Sequence, residues 1–168
     1  GNTAETSGDG VSVKDSVITI TAEGIYHITG TLDDGQIIVN ADGEKVQLVL
    51  DNASINCSNS SAIYVENAKK VFITLADDSK NYVSDGAEYT TNSTDGEPDA
   101  TIFSHDSLTI NGNGELEVTG NYKDGIRSKD DIVITSGNIT VNAVNNAIKA
   151  KDYVAVADGI MNLTAGNN

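Results

Sequence analysis

The sequence contains no tryptophan and has only one cysteine, one proline and one methionine among its 168 residues. The lone Cys57 excludes an internal disulfide, and we expect it to be a buried small side chain. No apolar run approaches the roughly 18 residues that a membrane-spanning helix needs, so we expect no direct membrane insertion. Abundant Asn, Thr, Asp, Ile and Val, together with 16 glycines, favour short strands joined by turns over helices.

Positive charge is scarce as well. Ten Lys and Arg residues stand against 25 Asp and Glu residues, which gives a net charge of −15. This balance argues against a nucleic-acid-binding protein, because a phosphate backbone needs a basic face. Hydrophobic residues make up 38% of the chain, too many for a disordered acidic tail. The length suits one folded domain.

An internal repeat is the most informative feature of the sequence. Residues 124–134 recur as residues 146–156, a shift of 22 residues, and looser copies lie at 101–110 and 62–73. Each repeat holds three short runs with apolar residues at alternate positions, bounded by Gly, Asn, Asp or Ser. One set of runs covers 125–128, 131–134 and 138–141. That period of two is typical of β-strands.

Three strands in about 22 residues, with no helix between them, predict an all-β chain folded as a parallel β-helix, a solenoid in which each strand pairs with its equivalent one coil away. Left-handed β-helices use a tighter hexapeptide repeat, so the period favours the right-handed form. The predicted interior columns are Ile63, Ile102, Ile126 and Ile148; Val71, Leu108, Ile132 and Val154; Ile73, Ile110, Ile134 and Val156; and Val118, Val141 and Leu163.

We predict a flexible lead-in over residues 1–10, a single β-helix domain over 11–168 and an inserted acidic loop over 84–100. The register at the C-terminal end predicts either that further coils follow in the natural protein or that a cap comes from elsewhere. An open solenoid end exposes unpaired strand edges, which predicts end-to-end self-association. In the N-terminal half, strands are expected more loosely at 17–20, 25–29, 36–40, 45–50 and 54–57.

Three segments resemble a family of bacterial secreted carbohydrate-binding domains, described for a clostridial cell-surface protein that binds polygalacturonate. They are residues 97–114 (EPDATIFSHDSLTINGNG), 121–130 (NYKDGIRSKD) and 30–39 (GTLDDGQIIV). The resemblance spans about residues 24–168. It implies a right-handed β-helix, calcium ions, an extracellular or cell-surface location and non-catalytic recognition of acidic plant cell-wall polysaccharide. One departure is that the Asp124-Gly-Ile motif becomes Asn146-Ala-Ile one coil later.

Strand alternation predicts a cluster of cations on one outer face, and we call it the basic strip. It comprises Arg127, Lys129, Lys149 and Lys151, with Lys123 at its edge and Phe103, His105 and Tyr64 flanking it. Ammonium and guanidinium groups there could meet uronate carboxylates, and an aromatic ring could stack on a sugar. Alternatively, the lysines only offset the neighbouring aspartates and keep an exposed sheet soluble.

Two sets of acidic residues are candidate calcium ligands, since Ca²⁺ takes six to eight oxygens. Asp106, Asp130 and Asp152 should stack in the turn that follows the strip, although hydrogen-bonded Asx turns would explain them without a metal. The inserted loop is the better candidate, close to Asp124 one coil away, with a solvated acidic loop as its alternative. Its carboxylates belong to Asp85, Glu88, Asp95, Glu97 and Asp99.

The sequence supports an enzymatic function less well than a binding function. Parallel β-helices include pectate lyases and polygalacturonases, but a fold does not establish a function. A hydrolase needs a paired acid and base, and strand alternation should send Asp130 and Asp131 to different sides unless the turn redirects one. A lyase would need calcium and Arg127 as its base. We therefore expect a binding module rather than an enzyme, with a structural or adhesive spacer and a pectate-lyase-like enzyme as alternatives.

Overall fold

The computed structural model describes residues 1, 3–90 and 95–167, and within these ranges the chain is all-β. No helix there could span a bilayer. The described ranges contain seventeen strands: β1 (Val11–Lys14), β2 (Val17–Ile20), β3 (Gly24–Leu32), β4 (Gln36–Asn40), β5 (Lys45–Cys57), β6 (Ile63–Asn67), β7 (Lys70–Leu75), β8 (Lys80–Asp85), β9 (Ala100–Ser104), β10 (Leu108–Gly112), β11 (Glu115–Gly120), β12 (Asp124–Ser128), β13 (Ile132–Ile134), β14 (Asn138–Ala143), β15 (Ile148–Ala150), β16 (Val154–Val156) and β17 (Ile160–Ala165).

The strands wind into a right-handed parallel β-helix with three faces, which confirms the predicted fold class. One face is a seven-stranded sheet in the order β1-β2-β4-β6-β9-β12-β15. The other two faces are joined because β5 bends across both of them. Its first half pairs with β7 and its second half with β8. The bend lies at Asn52, whose φ of 55° is in the left-handed region that asparagine tolerates.

The first strand departs from the all-parallel expectation. The strand β1 pairs antiparallel with β2, and Lys14 lies opposite Val17. Asp15 and Ser16 connect them with φ values of 49° and 65°. Two consecutive residues with positive φ form the tight turn that matches the twist of a β-hairpin. The solenoid therefore starts with a hairpin that pairs along the first coil.

The interior columns confirm the register predicted from the repeat. Ile126 pairs with Ile102 on one side and with Ile148 on the other, and Leu108 lies between Val71 and Ile132. Ile63, Ile102 and Ile126 are fully buried. Burial of one such side chain contributes about 1.5–3 kcal/mol, so the stack is the main source of stability. In the last described coil, column members remain 43–51% exposed, namely Val154, Val156 and Leu163. The predicted end-to-end self-association would use this surface and stays a prediction.

A buried asparagine holds the corners of consecutive coils together. Asn81 is 1% exposed, and its Oδ1 accepts the backbone N–H of Ala53 at 2.9 Å. Its Nδ2 donates to the Glu115 carbonyl at 3.1 Å and to the Ser79 hydroxyl at 2.8 Å. One side chain thus satisfies backbone groups in the coil before it and the coil after it. Buried polar groups need such partners, because an unpaired one is costly.

Candidate functional site

The structure assembles the basic strip on the seven-stranded sheet, in the register that strand alternation predicts. Arg127 on β12 lies beside Phe103 on β9 and beside Lys149 on β15. Lys129 and Lys151 follow the ends of their strands, and the Lys149 and Lys151 side chains are exposed. Lys123 is half-buried at the edge, with its Nζ 4.9 Å from the centre of the Tyr122 ring.

The inserted loop changes the electrostatics of this strip. It leaves β8 after Asp85, returns before β9 at Ala100, and carries Glu97 and Asp99 over the sheet; its residues 91–94 lie outside the described residues. Glu97 Oε1 lies 2.5 Å from Lys129 Nζ and 3.2 Å from Arg127 Nη2. Asp99 accepts a hydrogen bond from Arg127 Nη1. These charge-assisted contacts occupy two of the four strip cations with internal carboxylates.

Phe103 does not serve as the predicted platform for a sugar ring. Its side chain points out of the coil but is fully buried. The Arg127 guanidinium lies 5.7 Å from the centre of the Phe103 ring, and the rings of Tyr64 and His105 pack at 6.0 and 5.1 Å. The His105 side chain is 37% exposed, and its Nε2 lies 3.9 Å from Glu97 Oε2. The aromatic group therefore supports Arg127 and the loop from below.

The predicted calcium ligands in the loop are dispersed. Glu97 and Asp99 contact the strip cations, and Glu88 and Asp95 are exposed. Among the described residues, no three His, Cys, Asp or Glu side chains come close enough to hold a metal ion together. A calcium ion at this loop would thus need backbone carbonyls or water as further ligands.

Asp85 lies at the base of the loop and is 2% exposed. Its carboxylate accepts hydrogen bonds from the Tyr89 hydroxyl at 2.5 Å and from the Asn121 N–H at 2.6 Å. Burial raises the pKa of the Asp85 carboxyl, and these hydrogen bonds offset part of that rise. Burial beside Asp85 also raises the pKa of the Tyr89 hydroxyl, so Tyr89 remains a donor to the carboxylate. This arrangement anchors the loop through hydrogen bonds.

Among the described residues, three carboxylates have a buried oxygen without a hydrogen-bond partner, those of Asp99, Asp124 and Asp131, and the first two lie at the base of the loop. Asp124 is 1% exposed, and its Oδ1 accepts hydrogen bonds from the Asn145 side chain and from both the backbone and the side chain of Asn146. Its Oδ2 is buried and has no hydrogen-bond partner, and the same holds for Asp99 Oδ1. The two residues lie in consecutive coils, and the Asp124 N–H donates to the Asp99 carbonyl at 3.1 Å. A buried carboxylate oxygen that accepts no hydrogen bond is suited to coordinate a calcium ion, because the cation takes the place of a hydrogen-bond donor.

The turn aspartates stack in the predicted order, but hydrogen bonds already account for two of them. Asp106 Oδ2 accepts the Ala68 N–H at 2.8 Å, and Asp130 Oδ2 accepts the Ser107 hydroxyl at 2.8 Å. Asp152 is exposed in the last coil, and its N–H donates to the Asp130 carbonyl at 3.0 Å. The carboxylates of Asp106 and Asp130 are thus explained by hydrogen bonds other than those of an Asx turn, whereas a calcium ion at this column stays a prediction.

The exception allowed for Asp130 and Asp131 occurs: both carboxylates lie on the same side of the coil. The turn after β12 redirects one side chain, so Oδ2 of each carboxylate lies within 2.9 Å of the Ser107 hydroxyl. Strand alternation predicts directions only inside a strand, and both residues lie in the turn before β13.

Sequence reasoning missed a stacked tyrosine pair at the edge of the strip. The rings of Tyr89 and Tyr122 lie 4.2 Å apart at an interplanar angle of 18°, and Lys123 lies against Tyr122. Tyr89 belongs to the loop, outside the repeat, so the period gives no information on its position. The pair brings the loop against the segment that leads into β12.

Comparisons with known proteins agree with this architecture. A family model described as "Carbohydrate-binding domain-containing protein" matches residues 14–168. A carbohydrate-binding domain-containing protein of Acetivibrio thermocellus is 43% identical over 137 residues, which cover 80% of this chain and 48% of that protein. The chain thus spans about half the length of this curated relative. A solved polysaccharide lyase-like protein from C. thermocellum, a gadolinium derivative, is 35% identical with a TM-score of 0.87, covering 93% of this chain and 75% of that one.

Proposed function

Because the chain belongs to the carbohydrate-binding domain-containing protein family, we propose that it binds an acidic polysaccharide, polygalacturonate first, without cleaving it. Pectin-like uronates carry one carboxylate per sugar, and the basic strip offers cations at strand spacing along one flat face. The proposal places the module outside the cell or on the bacterial surface, where such polymers occur.

The observation that carries the proposal is the exposure of Lys149 and Lys151. Both lie on the same face as Arg127 and Lys129, and neither has an ion-pair partner among the described residues. Two adjacent like charges without an internal counter-ion repel each other. A polyanion would neutralise these two lysines. It would contact the strip at Lys149 and Lys151, one coil after the cations that Glu97 contacts.

The lyase alternative loses its base in this geometry. Arg127 would have to accept a proton from the sugar, yet its guanidinium is 15% exposed and contacts both Glu97 and Asp99. Those two carboxylates occupy its N–H groups and block access to it. The solved relative is called polysaccharide lyase-like, but the feature of this chain that would support a lyase is occupied. Binding without catalysis is therefore our proposal.

We further propose that calcium supports this binding. Asp124 and Asp99 would hold the ion through their partnerless oxygens, with backbone carbonyls and water completing its shell. When bound, calcium would supply positive charge between the loop and β12. The solved relative is a gadolinium derivative, and gadolinium is likewise a hard cation that prefers oxygen ligands.

The test is calorimetric titration of polygalacturonate into the wild type and into the Lys149→Ala/Lys151→Ala variant, each with calcium and with a chelator. We expect the variant to bind about 30-fold more weakly, since each exposed charge contact is worth up to about 1 kcal/mol. The control Lys14→Ala/Lys80→Ala removes the same charge from other exposed positions and should bind as the wild type does.

Unchanged affinity in a folded Lys149→Ala/Lys151→Ala variant would show that the basic strip does not bind polygalacturonate. Absence of heat from the folded wild type, in both conditions, would favour the structural spacer. Release of unsaturated oligouronides at alkaline pH with calcium would favour the lyase. Saturable heat that disappears with the chelator would support the calcium part of the proposal.

A further inference from the structure

A second group of cations lies on a different face of the solenoid, near its N-terminal end. Lys45 on β5 pairs in register with Lys70 on β7, so their side chains leave the sheet at neighbouring positions. Strand spacing places their backbones about 4.8 Å apart. Neither lysine has an ion-pair partner among the described residues, in contrast to Arg127 and Lys129. The two like charges repel each other unless an anion lies between them.

An apolar row runs alongside these lysines. Ile25 on β3, Gln47 on β5 and Phe72 on β7 occupy consecutive positions across three strands. Ile25 is 64% exposed and Phe72 is half-buried. The Lys70 Nζ lies 5.5 Å from the centre of the Phe72 ring, within the distance of a cation–π contact. This contact keeps the ammonium beside the aromatic ring, and we call Ile25, Lys45, Lys70 and Phe72 the Lys–Phe patch.

A shallow open cavity of about 410 Å³ lies over the patch. Its lining comprises Glu23, Gly24, Ile25, Lys45, Val46, Gln47 and Phe72, and Lys70 lies outside this lining. The cavity thus offers the Lys45 ammonium beside Ile25 and Phe72, with Gln47 between those two apolar residues, and Lys70 reaches the Phe72 ring from outside the cavity. A neutral apolar ligand would leave the lysines unpaired, and an inorganic anion would leave Ile25 and Phe72 exposed to water. A uronic acid unit satisfies both, since its carboxylate meets an ammonium and its C–H face covers a ring.

We propose that the Lys–Phe patch is a second binding site for acidic oligosaccharides, separate from the basic strip. The ligand is a short uronic acid oligomer whose adjacent carboxylates contact Lys45 and Lys70, while one sugar ring lies on Phe72 and a neighbouring sugar lies on Ile25, two strands away. The inference rests on the proposed function for the nature of the ligand, but on different residues for its place. Two sites on different faces would allow one module to bridge two polysaccharide chains.

Titration of trigalacturonate, followed by amide chemical shifts in ¹⁵N-labelled protein, reports on each site separately. In the wild type we expect saturable shifts at Lys45, Gln47 and Phe72, and an independent set at Lys149. In Lys45→Ala/Lys70→Ala we expect at least about tenfold weaker binding at the first set only. In Phe72→Leu, which keeps both lysines, we expect weaker binding there with an unchanged dependence on salt. Lys14→Ala/Lys80→Ala is the charge-matched control and should change neither set.

The outcomes separate this inference from the proposed function. Shifts at Lys149 but not at the Lys–Phe patch overturn the second site and leave the first. Shifts at the patch alone support the second site and overturn the basic strip. Equal shifts at the patch with a neutral trisaccharide overturn the acidic ligand class, because the lysines would then contribute nothing. The absence of chemical-shift changes at both the basic strip and the Lys–Phe patch overturns both proposals.

Discussion

The ammonium of Lys129 lies 2.5 Å from the carboxylate of Glu97, although the two residues are 32 positions apart in the chain. The same carboxylate reaches Arg127 at 3.2 Å. An internal anion thus occupies the part of the basic strip nearest the loop. An external uronate must either use the remaining lysines or displace this contact.

Glu97→Gln should release Lys129 from its internal partner, while Arg127 keeps its contact with Asp99. We expect polygalacturonate affinity to rise about fivefold, since one additional exposed charge contact is worth up to about 1 kcal/mol. The free energy of unfolding should fall at the same time, because Glu97 is only 12% exposed and its loss leaves two cations partly buried. Calorimetry and urea denaturation measure the two effects. Glu88→Gln, at an exposed position of the same loop, is the control and should change neither the affinity nor the free energy of unfolding. An unchanged affinity in folded Glu97→Gln would show that the ligand does not reach Arg127 and Lys129.

Phe103 should matter for stability and not for binding. Phe103→Ala removes a fully buried ring beneath Arg127, and we expect the free energy of unfolding to fall by about 3–5 kcal/mol. Phe103→Leu keeps most of the volume and should fold, with polygalacturonate affinity unchanged. Tyr82→Ala, at a position that is 48% exposed, is the control and should cost much less. A clear loss of affinity in folded Phe103→Leu would contradict the buried position of the ring.

Asp85 should give the stability a defined pH dependence. Burial raises the pKa of its carboxyl in the folded state, so the folded protein retains this proton at a pH where the unfolded chain has lost it. Between the ordinary Asp pKa of about 3.9 and the raised folded value, the contribution of Asp85 to stability therefore decreases as pH rises. Asp85→Asn cannot ionise, so its free energy of unfolding should improve relative to the wild type over that interval. Urea denaturation at several pH values from 4 to 7 tests this, and a constant difference between the two proteins would refute it.

Asn81 should be among the most sensitive polar positions. Asn81→Ala leaves the Ala53 N–H and the Glu115 carbonyl without their partner, and each loss costs about 1–3 kcal/mol. We expect a lower melting temperature with an unchanged fold by circular dichroism. Asn142→Ala, an exposed asparagine on β14, is the matched control and should melt close to the wild type. Equal melting of the two variants would mean that water replaces the Asn81 side chain.

Calcium should stabilise the protein through Asp124. Binding to the folded state raises the free energy of unfolding by RT ln(1 + [L]/Kd), so the melting temperature should rise with calcium concentration. Asp124→Asn retains an oxygen for the three donors of Asn145 and Asn146 but loses the partnerless one. We expect this variant to melt at the same temperature with calcium and with chelator, whereas exposed Asp78→Asn should respond like the wild type. A full calcium response in Asp124→Asn would place the ion elsewhere.

Much of the fold is present in the sequence because a solenoid repeats its contacts from one coil to the next. Ile126 and Ile148 occupy equivalent positions in consecutive repeats, and they pair directly in the structure. The strands at 17–20 and 36–40 were predictable for the same reason. By contrast, residues 45–50 and 54–57, predicted as two strands, belong to one continuous strand. The strand bends at Asn52, which has a positive φ, and continues beyond the bend.

The sequence by itself determined the all-β class, the coil period, the interior columns and the face on which the basic strip lies. Only the tertiary structure decided that Glu97 and Asp99 fold over that strip and that Phe103 is buried beneath Arg127. The same holds for Lys45 and Lys70, which lie beside Phe72 with no ion-pair partner in the described ranges. The physical reason is that periodicity encodes contacts between equivalent positions of neighbouring coils. An inserted loop has no equivalent, so the place where its charges lie is set by the complete surface that it meets.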